Sequence, residues 1–145
     1  MKSEAEIVVM NKKLIIESKI ENISLVEKAI DDCSAELKLS SEMYGNILIS
    51  VIEVVTNAII HGNKLDKTKK VLIGISCSDD KHMTFTIEDQ GNGFNYEIVP
   101  DPTLPENLEK PHGRGIFLMK NLANKVIFEN KGSKVTLIFK IKVAK

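Results

Sequence analysis

The chain is poor in the residues that usually announce a mechanism. It has no tryptophan, only two cysteines and a formal net charge of zero, 20 acidic residues standing against 20 basic ones. That balance gives no ground, at the level of the whole chain, for a nucleic-acid or polyanion binder. The short run Lys67-Thr68-Lys69-Lys70 reads as a solvated loop rather than a phosphate-backbone patch. Cys33 and Cys77 are far apart and form no Cys-x-x-Cys, which suits a reducing compartment with both thiols structural. His61, His82 and His112 share no ligand spacing with either thiol, which argues against a Cys/His metal site. No segment approaches ~20 uninterrupted apolar residues, and the opening MKSEAEIVVM has no long apolar signal core. The expectation is a soluble cytoplasmic protein without a membrane partner, its 145 residues forming a single domain, 1–145.

What is present is concentrated. From Ile47 to Ile60 most positions are Ile, Leu, Val or Ala, so a helix there should be buried on most of its circumference. Yet Asn46, Ser50, Glu53, Asn57 and His61 recur at steps of four, three, four and four, a polar stripe on one face. The stripe fits a solvent-facing surface. It also fits a site, because an acid set into an apolar helix has to be paired, solvated or put to use.

The pattern around it predicts a layered fold. Residues 12–20 alternate as a first strand. A helix over 24–37 follows, with Ser24 as N-cap and Glu27 closing a capping box. Ser40 or Ser41 caps the striped helix, which His61-Gly62-Asn63 should end, with Gly62 as a left-handed residue. Strands at 71–76 and 82–89 flank the Ser78-Asp79-Asp80-Lys81 turn, and period two puts Asp89 on the core row of Met83, Phe85 and Ile87. All four prolines, Pro100, Pro102, Pro105 and Pro111, fall in the stretch 92–112, which by length reads as a lid or binding loop. A third helix over 113–124 leads to a hairpin, 125–129 and 133–142, turning at Asn130-Lys131-Gly132. Val135, Leu137, Phe139 and Ile141 make its core row, with Ser133 in the same parity. This order predicts a two-layer α/β sandwich with the helices on one face of the sheet.

Two Gly-x-Gly pairs carry the remaining signal: Asp89-Gln90-Gly91-Asn92-Gly93 and Gly113-Arg114-Gly115-Ile116. Alone, the first fits a tight turn and the second a flexible helix entry. Glycines at a helix start also let backbone N–H groups approach an anion, and Arg114 could add a charged contact to phosphate. The common nucleotide motifs are missing. Gly132-Ser133-Lys134 has the wrong order for a phosphate loop, neither glycine pair extends to Gly-x-Gly-x-x-Gly, and there is no His-Arg-Asp or Asp-Phe-Gly set.

Glu53 and Asn57, then Asp89, Gly91 and Gly93, then Gly113, Gly115 and Ile116, in that order with a lid between the last two groups, resemble the three boxes of the GHKL (Bergerat-fold) ATPase/kinase superfamily. The similarity spans nearly the whole chain. The small size and the phrase EVVTNAIIHGNK look most like the anti-sigma-factor serine/threonine kinases, whereas a histidine kinase would need a phosphoacceptor region upstream.

The resemblance implies the Bergerat α/β sandwich, with a mixed, mostly antiparallel sheet and an ATP lid. It implies ATP and Mg²⁺ as ligands. Asp89 would accept the adenine amino group beside Gly91 and Gly93. Asn57 would ligate Mg²⁺. Gly113, Arg114, Gly115 and Ile116 would hold the phosphates, with help from Lys110 and His112, and Ser133 would stand beside Asp89. Glu53 would be the general base. The expected activity is phosphorylation of a small anti-anti-sigma antagonist, with a sigma factor as second partner and a homodimer as assembly. The alternative is an ATP-gated interaction switch of the same fold with little turnover; an intact Glu53 favours the kinase. A free-standing ATPase of the topoisomerase or mismatch-repair kind is disfavoured by the absence of a transducer domain.

Overall fold

The computed structural model describes residues 10–77, 81–91 and 122–141. Its elements are β1 (Met10–Glu17), a short 3-10 turn (Ile20–Asn22), α1 (Ile23–Leu37), α2 (Ser41–Asn57) running into a π turn (Ala58–Gly62), β2 (Lys70–Cys77), β3 (His82–Glu88), β4 (Lys125–Glu129) and β5 (Lys134–Lys140). The sheet order is β1-β2-β3-β5-β4. Two helices cover one face of this five-stranded sheet, an α/β sandwich as the element order predicts. Among the described residues every strand pair is antiparallel, which corrects the expectation of a mixed sheet.

The helices bury what their periodicity says they should. In α1 the buried residues are Val26, Ile30 and Cys33, and in α2 Met43, Ile47, Ser50, Val51, Val54 and Val55. From the sheet side come Ile73, Ile75, Met83, Phe85, Ile87, Leu137 and Phe139. Phe85 and Phe139 sit diagonally on β3 and β5 and meet edge to face, ring centroids 5.9 Å apart. Within Ser41–Gly62 an 18-residue window reaches a mean hydropathy of 1.6, enough by length and composition to cross a membrane. Their apolar face is instead the inner face of the helix layer, so this reads as a core helix.

Three local expectations are corrected. The first strand runs over Met10–Glu17 rather than 12–20, because the backbone turns after Glu17, whose carbonyl accepts the Lys19 N–H at 2.8 Å; the Ser18 hydroxyl donates to the Lys69 carbonyl at 2.7 Å. Ser24 does not cap α1: the helix starts one residue earlier, and the Ser24 hydroxyl donates to the Glu21 carbonyl at 2.9 Å. Gly62 is not left-handed; that conformation falls to Lys64 (φ 54°) and Leu65 (φ 60°). Ser40 does cap α2, its hydroxyl accepting the Met43 N–H at 3.2 Å. The lid and residues 113–121 of the expected third helix lie outside the described residues.

Gly45, inside α2, has nothing within 4 Å of where a Cβ would stand. A glycine in a helix interior raises the entropy of the unfolded chain with no contact to show for it here. Gly45→Ala is therefore expected to stabilise the protein by about 0.5–1 kcal/mol, read as a higher denaturant midpoint at unchanged slope. A lower midpoint would mean that the position is sterically closed.

One feature of the topology positions the site. The final hairpin lays β5 between β3 and β4, with Glu88 in register with Lys134. The C-terminal end of β3 thereby meets the N-terminal end of β5, and the Asp89 N–H donates to the Ser133 carbonyl at 2.9 Å.

Candidate functional site

Glu53 and Asn57 lie one turn apart on the same side of α2, about 5–6 Å between their Cβ atoms by helix geometry. Ser50, next up the stripe, is fully buried and donates to the Asn46 carbonyl at 2.8 Å, so the stripe is not simply a wet surface. Burial pushes the Glu53 carboxyl above its ordinary range. Asn57 Oδ1 is buried and has no hydrogen-bond partner among the described residues. A buried carboxamide oxygen in that state is an unmet acceptor, and a hard cation that takes oxygen ligands is one thing that would satisfy it. The residues present thus fit Mg²⁺ held at Asn57.

Below Asn57 the helix widens into the π turn, where the Asn63 N–H donates back to the Ala58 carbonyl at 2.8 Å. This delivers the Gly62 backbone against the Asp89 carboxylate. A Cβ on Gly62 would stand 2.5 Å from both Asp89 Cγ and Oδ2, and a Cβ on Gly91 would stand 2.0 Å from the Gly62 carbonyl oxygen. Both glycines are required by close approach, not by turn conformation.

Asp89 itself is half-buried. Burial raises its carboxyl above the ordinary range, and the Gly91 N–H, donating to Oδ1 at 2.8 Å, pulls the other way. Ser133 stands beside Asp89 through its backbone carbonyl; its hydroxyl is turned away to the Asn130 carbonyl at 2.9 Å. The structure therefore groups Asp89, Gly91 and Ser133 at the end of the sheet, and Glu53 and Asn57 on the helix that leads to it. Gly93, Lys110, His112, Gly113, Arg114, Gly115 and Ile116 lie outside the described residues.

Residues not singled out by sequence reasoning complete the arrangement. Asn63 is fully buried, and its side chain reaches three partners: Oδ1 accepts the Gln90 N–H at 2.7 Å, and Nδ2 donates to Ser18 Oγ and to the Lys70 carbonyl, both at 2.9 Å. Gln90 Oε1 in turn accepts the Lys70 N–H at 2.6 Å. The available signal was Ser18, a hydroxyl continuing the apolar row of Leu14 and Ile16.

The raised Glu53 has a consequence for stability. A carboxyl whose folded pKa lies above its unfolded one favours the folded state most when protonated, and that advantage is lost as pH rises through the folded pKa. Glu53→Gln removes the charge that has to be desolvated. It is expected to unfold about 0.5–2 kcal/mol less readily than wild type at pH 7, with the gap closing near pH 4. Thermal melts at both pH values check this, and a gap that widens on acidification would contradict it.

Comparison with known proteins gives the family and the fold. Residues 16–139 match the family model described as "Histidine kinase-like ATPase domain". An anti-sigma F factor of Clostridium perfringens (strain SM101 / Type A) is 32% identical over 136 residues, covering 88% of this chain and 96% of that protein. The serine-protein kinase RsbW of Oceanobacillus iheyensis is 25% identical over 122 residues, 80% of this chain and 77% of that one. Among solved structures, the RsbU and RsbW domains of Rv1364c from Mycobacterium tuberculosis superpose with a TM-score of 0.64 at 12% identity; the match covers 92% of this chain but only 32% of that one, and it speaks for the fold alone. With a half-buried acid, an unmet carboxamide oxygen and a glycine-clasped aspartate on this sandwich, the chain belongs to the histidine-kinase-like (GHKL) ATPase domain family, whose members bind ATP.

Proposed function

We propose that this chain is a Mg-ATP-dependent serine/threonine protein kinase that acts as an anti-sigma factor and phosphorylates a small antagonist protein of the anti-anti-sigma type. The names of its relatives, an anti-sigma F factor and a serine-protein kinase, motivate the class. The observation that carries the chemistry is Glu53, held above its ordinary pKa by burial, one turn from the unpartnered oxygen of Asn57.

The roles follow from what each group can do. Asp89 binds the adenine amino group; its Oδ1 is taken up by the Gly91 N–H, which leaves the second oxygen to face the base. Asn57 Oδ1 would hold Mg²⁺, which when bound supplies positive charge against the phosphates. Glu53 accepts the proton from the incoming serine or threonine hydroxyl. The new O–P bond forms at the γ-phosphorus as the bond to the β–γ bridging oxygen breaks, and ADP departs. A raised pKa suits a base, because it strengthens the pull on the proton. The glycines 113 and 115, with Arg114, Lys110, His112 and Ile116, would hold the phosphates under a lid at 92–112. The whole chain acts as one nucleotide-binding domain, in the cytoplasm and as a homodimer.

The test is transfer from γ-labelled ATP with Mg²⁺ in lysate of the source cells, wild type beside Glu53→Ala. A small protein labelled only when Glu53 is present, with acid-stable phosphate, supports the kinase. No label, with ATP binding measured in parallel and intact, would leave an ATP-gated interaction switch in its place.

A further inference from the structure

We infer that Asn63 is the positioning residue for base recognition: its buried carboxamide sets the Asp89–Gly91 turn, and so fixes how selectively the protein takes a purine bearing an exocyclic amino group. The inference rests on the reading of Asp89 as the adenine acceptor.

The turn that carries Asp89 is held at each of its three backbone N–H groups, two by acceptors elsewhere in the chain and one by its own carboxylate. The Asp89 N–H goes to the Ser133 carbonyl just before β5, and the Gly91 N–H returns to Asp89 Oδ1. Between them the Gln90 N–H goes to Asn63 Oδ1 at 2.7 Å, a side chain with no exposed surface. Among these three acceptors Asn63 alone comes from the helix layer. It therefore sets the distance between the helix end, where Gly62 abuts the carboxylate, and the sheet end, where the carboxylate is rooted.

Asn63 is itself held without slack. Its Nδ2 donates both to Ser18 Oγ and to the Lys70 carbonyl, and Ser18 Oγ donates on to the Lys69 carbonyl at 2.7 Å. The π turn supplies the extra residue that brings Asn63 inward. The next two residues, Lys64 and Leu65, sit at positive φ, a conformation that side-chain-bearing residues adopt only where surrounding structure imposes it. A local fold tightened at this much conformational cost serves to fix one geometry. The geometry it fixes is that of the Asp89 carboxylate relative to Gly62 and Gly91. A hydrogen bond to a ligand amino group depends steeply on angle and distance, whereas stacking and phosphate contacts tolerate small displacements.

The experiment compares the full chain as wild type, Asn63→Ala, Ser18→Ala and Asp89→Asn. It measures dissociation constants for Mg-ATP and for the Mg complex of purine riboside triphosphate, which lacks the amino group. Wild type is expected to prefer ATP at least tenfold. Asn63→Ala is expected to shrink that preference about fivefold or more while binding the amino-free triphosphate within about twofold of wild type. A purely structural residue would weaken both ligands alike, and that result overturns the inference. Should Asn63→Ala fail to fold, Ser18→Ala removes the hydroxyl anchor of Asn63 and is expected to lower the preference about threefold; an unchanged preference there overturns the inference as well. If wild type and Asp89→Asn both show no preference for ATP, the reading of Asp89 fails first and the inference falls with it. A wild-type preference abolished by Asp89→Asn but untouched by Asn63→Ala removes only the inference.

Discussion

Glu53→Ala is expected to lower phosphate transfer by about three orders of magnitude while leaving the ATP dissociation constant within about threefold of wild type. A positioned general base is typically worth 10²–10⁴-fold. Binding is spared because alanine removes a negative charge from the neighbourhood of the phosphates and deletes no contact to the base. Asp89→Asn should do the reverse. The Asp89 carboxylate has two acceptor oxygens, one already occupied by the Gly91 N–H. Asparagine has one acceptor, so either the Gly91 N–H or the ligand amino group is left facing an NH₂. An unmet buried donor costs roughly 1–3 kcal/mol, which corresponds to about 10–100-fold in ATP affinity. Single-turnover transfer alongside equilibrium ATP titration separates the two variants. Equal loss of binding in both would end the division of roles between Glu53 and Asp89.

Gly91→Ala is the second large effect. The added Cβ would stand 2.0 Å from the Gly62 carbonyl oxygen and 2.6 Å from its carbonyl carbon, so backbone must move against backbone. Neither side yields cheaply: Gly62 ends the π turn, and Gly91 donates to the Asp89 carboxylate. Forced overpacking of this kind costs about 1–3 kcal/mol, and the expected destabilisation is about 3 kcal/mol. Because the displaced strand end carries Asp89, ATP affinity should fall at least tenfold at the same time. Gly45→Ala, the same substitution in open space, is the internal control. Near-wild-type stability for Gly91→Ala would show that the turn has room that the close approach denies.

Much of this fold was legible because it depends on period and punctuation. Strict alternation placed the core rows of β3 and β5, the 3.6-residue repeat placed α1 and α2, and Ser40 marked the start of α2. What misled was local chemistry with two uses. Ser24 followed by Glu27 reads as a capping box, yet the chain enters α1 through a 3-10 turn that takes the hydroxyl for itself. Gly62 reads as a left-handed terminator, yet it is a glycine because the Asp89 carboxylate leaves no room for a Cβ.

The residues in order were enough to show that an acid and a carboxamide share one face of an apolar helix, that Asp89 ends a core row, and that glycines follow it. Those are consequences of spacing along one element, and spacing is written in the chain. It took the folded chain to bring the end of that helix to the end of that strand, to offer the Ser133 carbonyl rather than its hydroxyl, and to join the two layers through Asn63. Contacts between elements depend on where β5 inserts in the sheet and how the π turn redirects the backbone. Neither has a local pattern for a sequence to display.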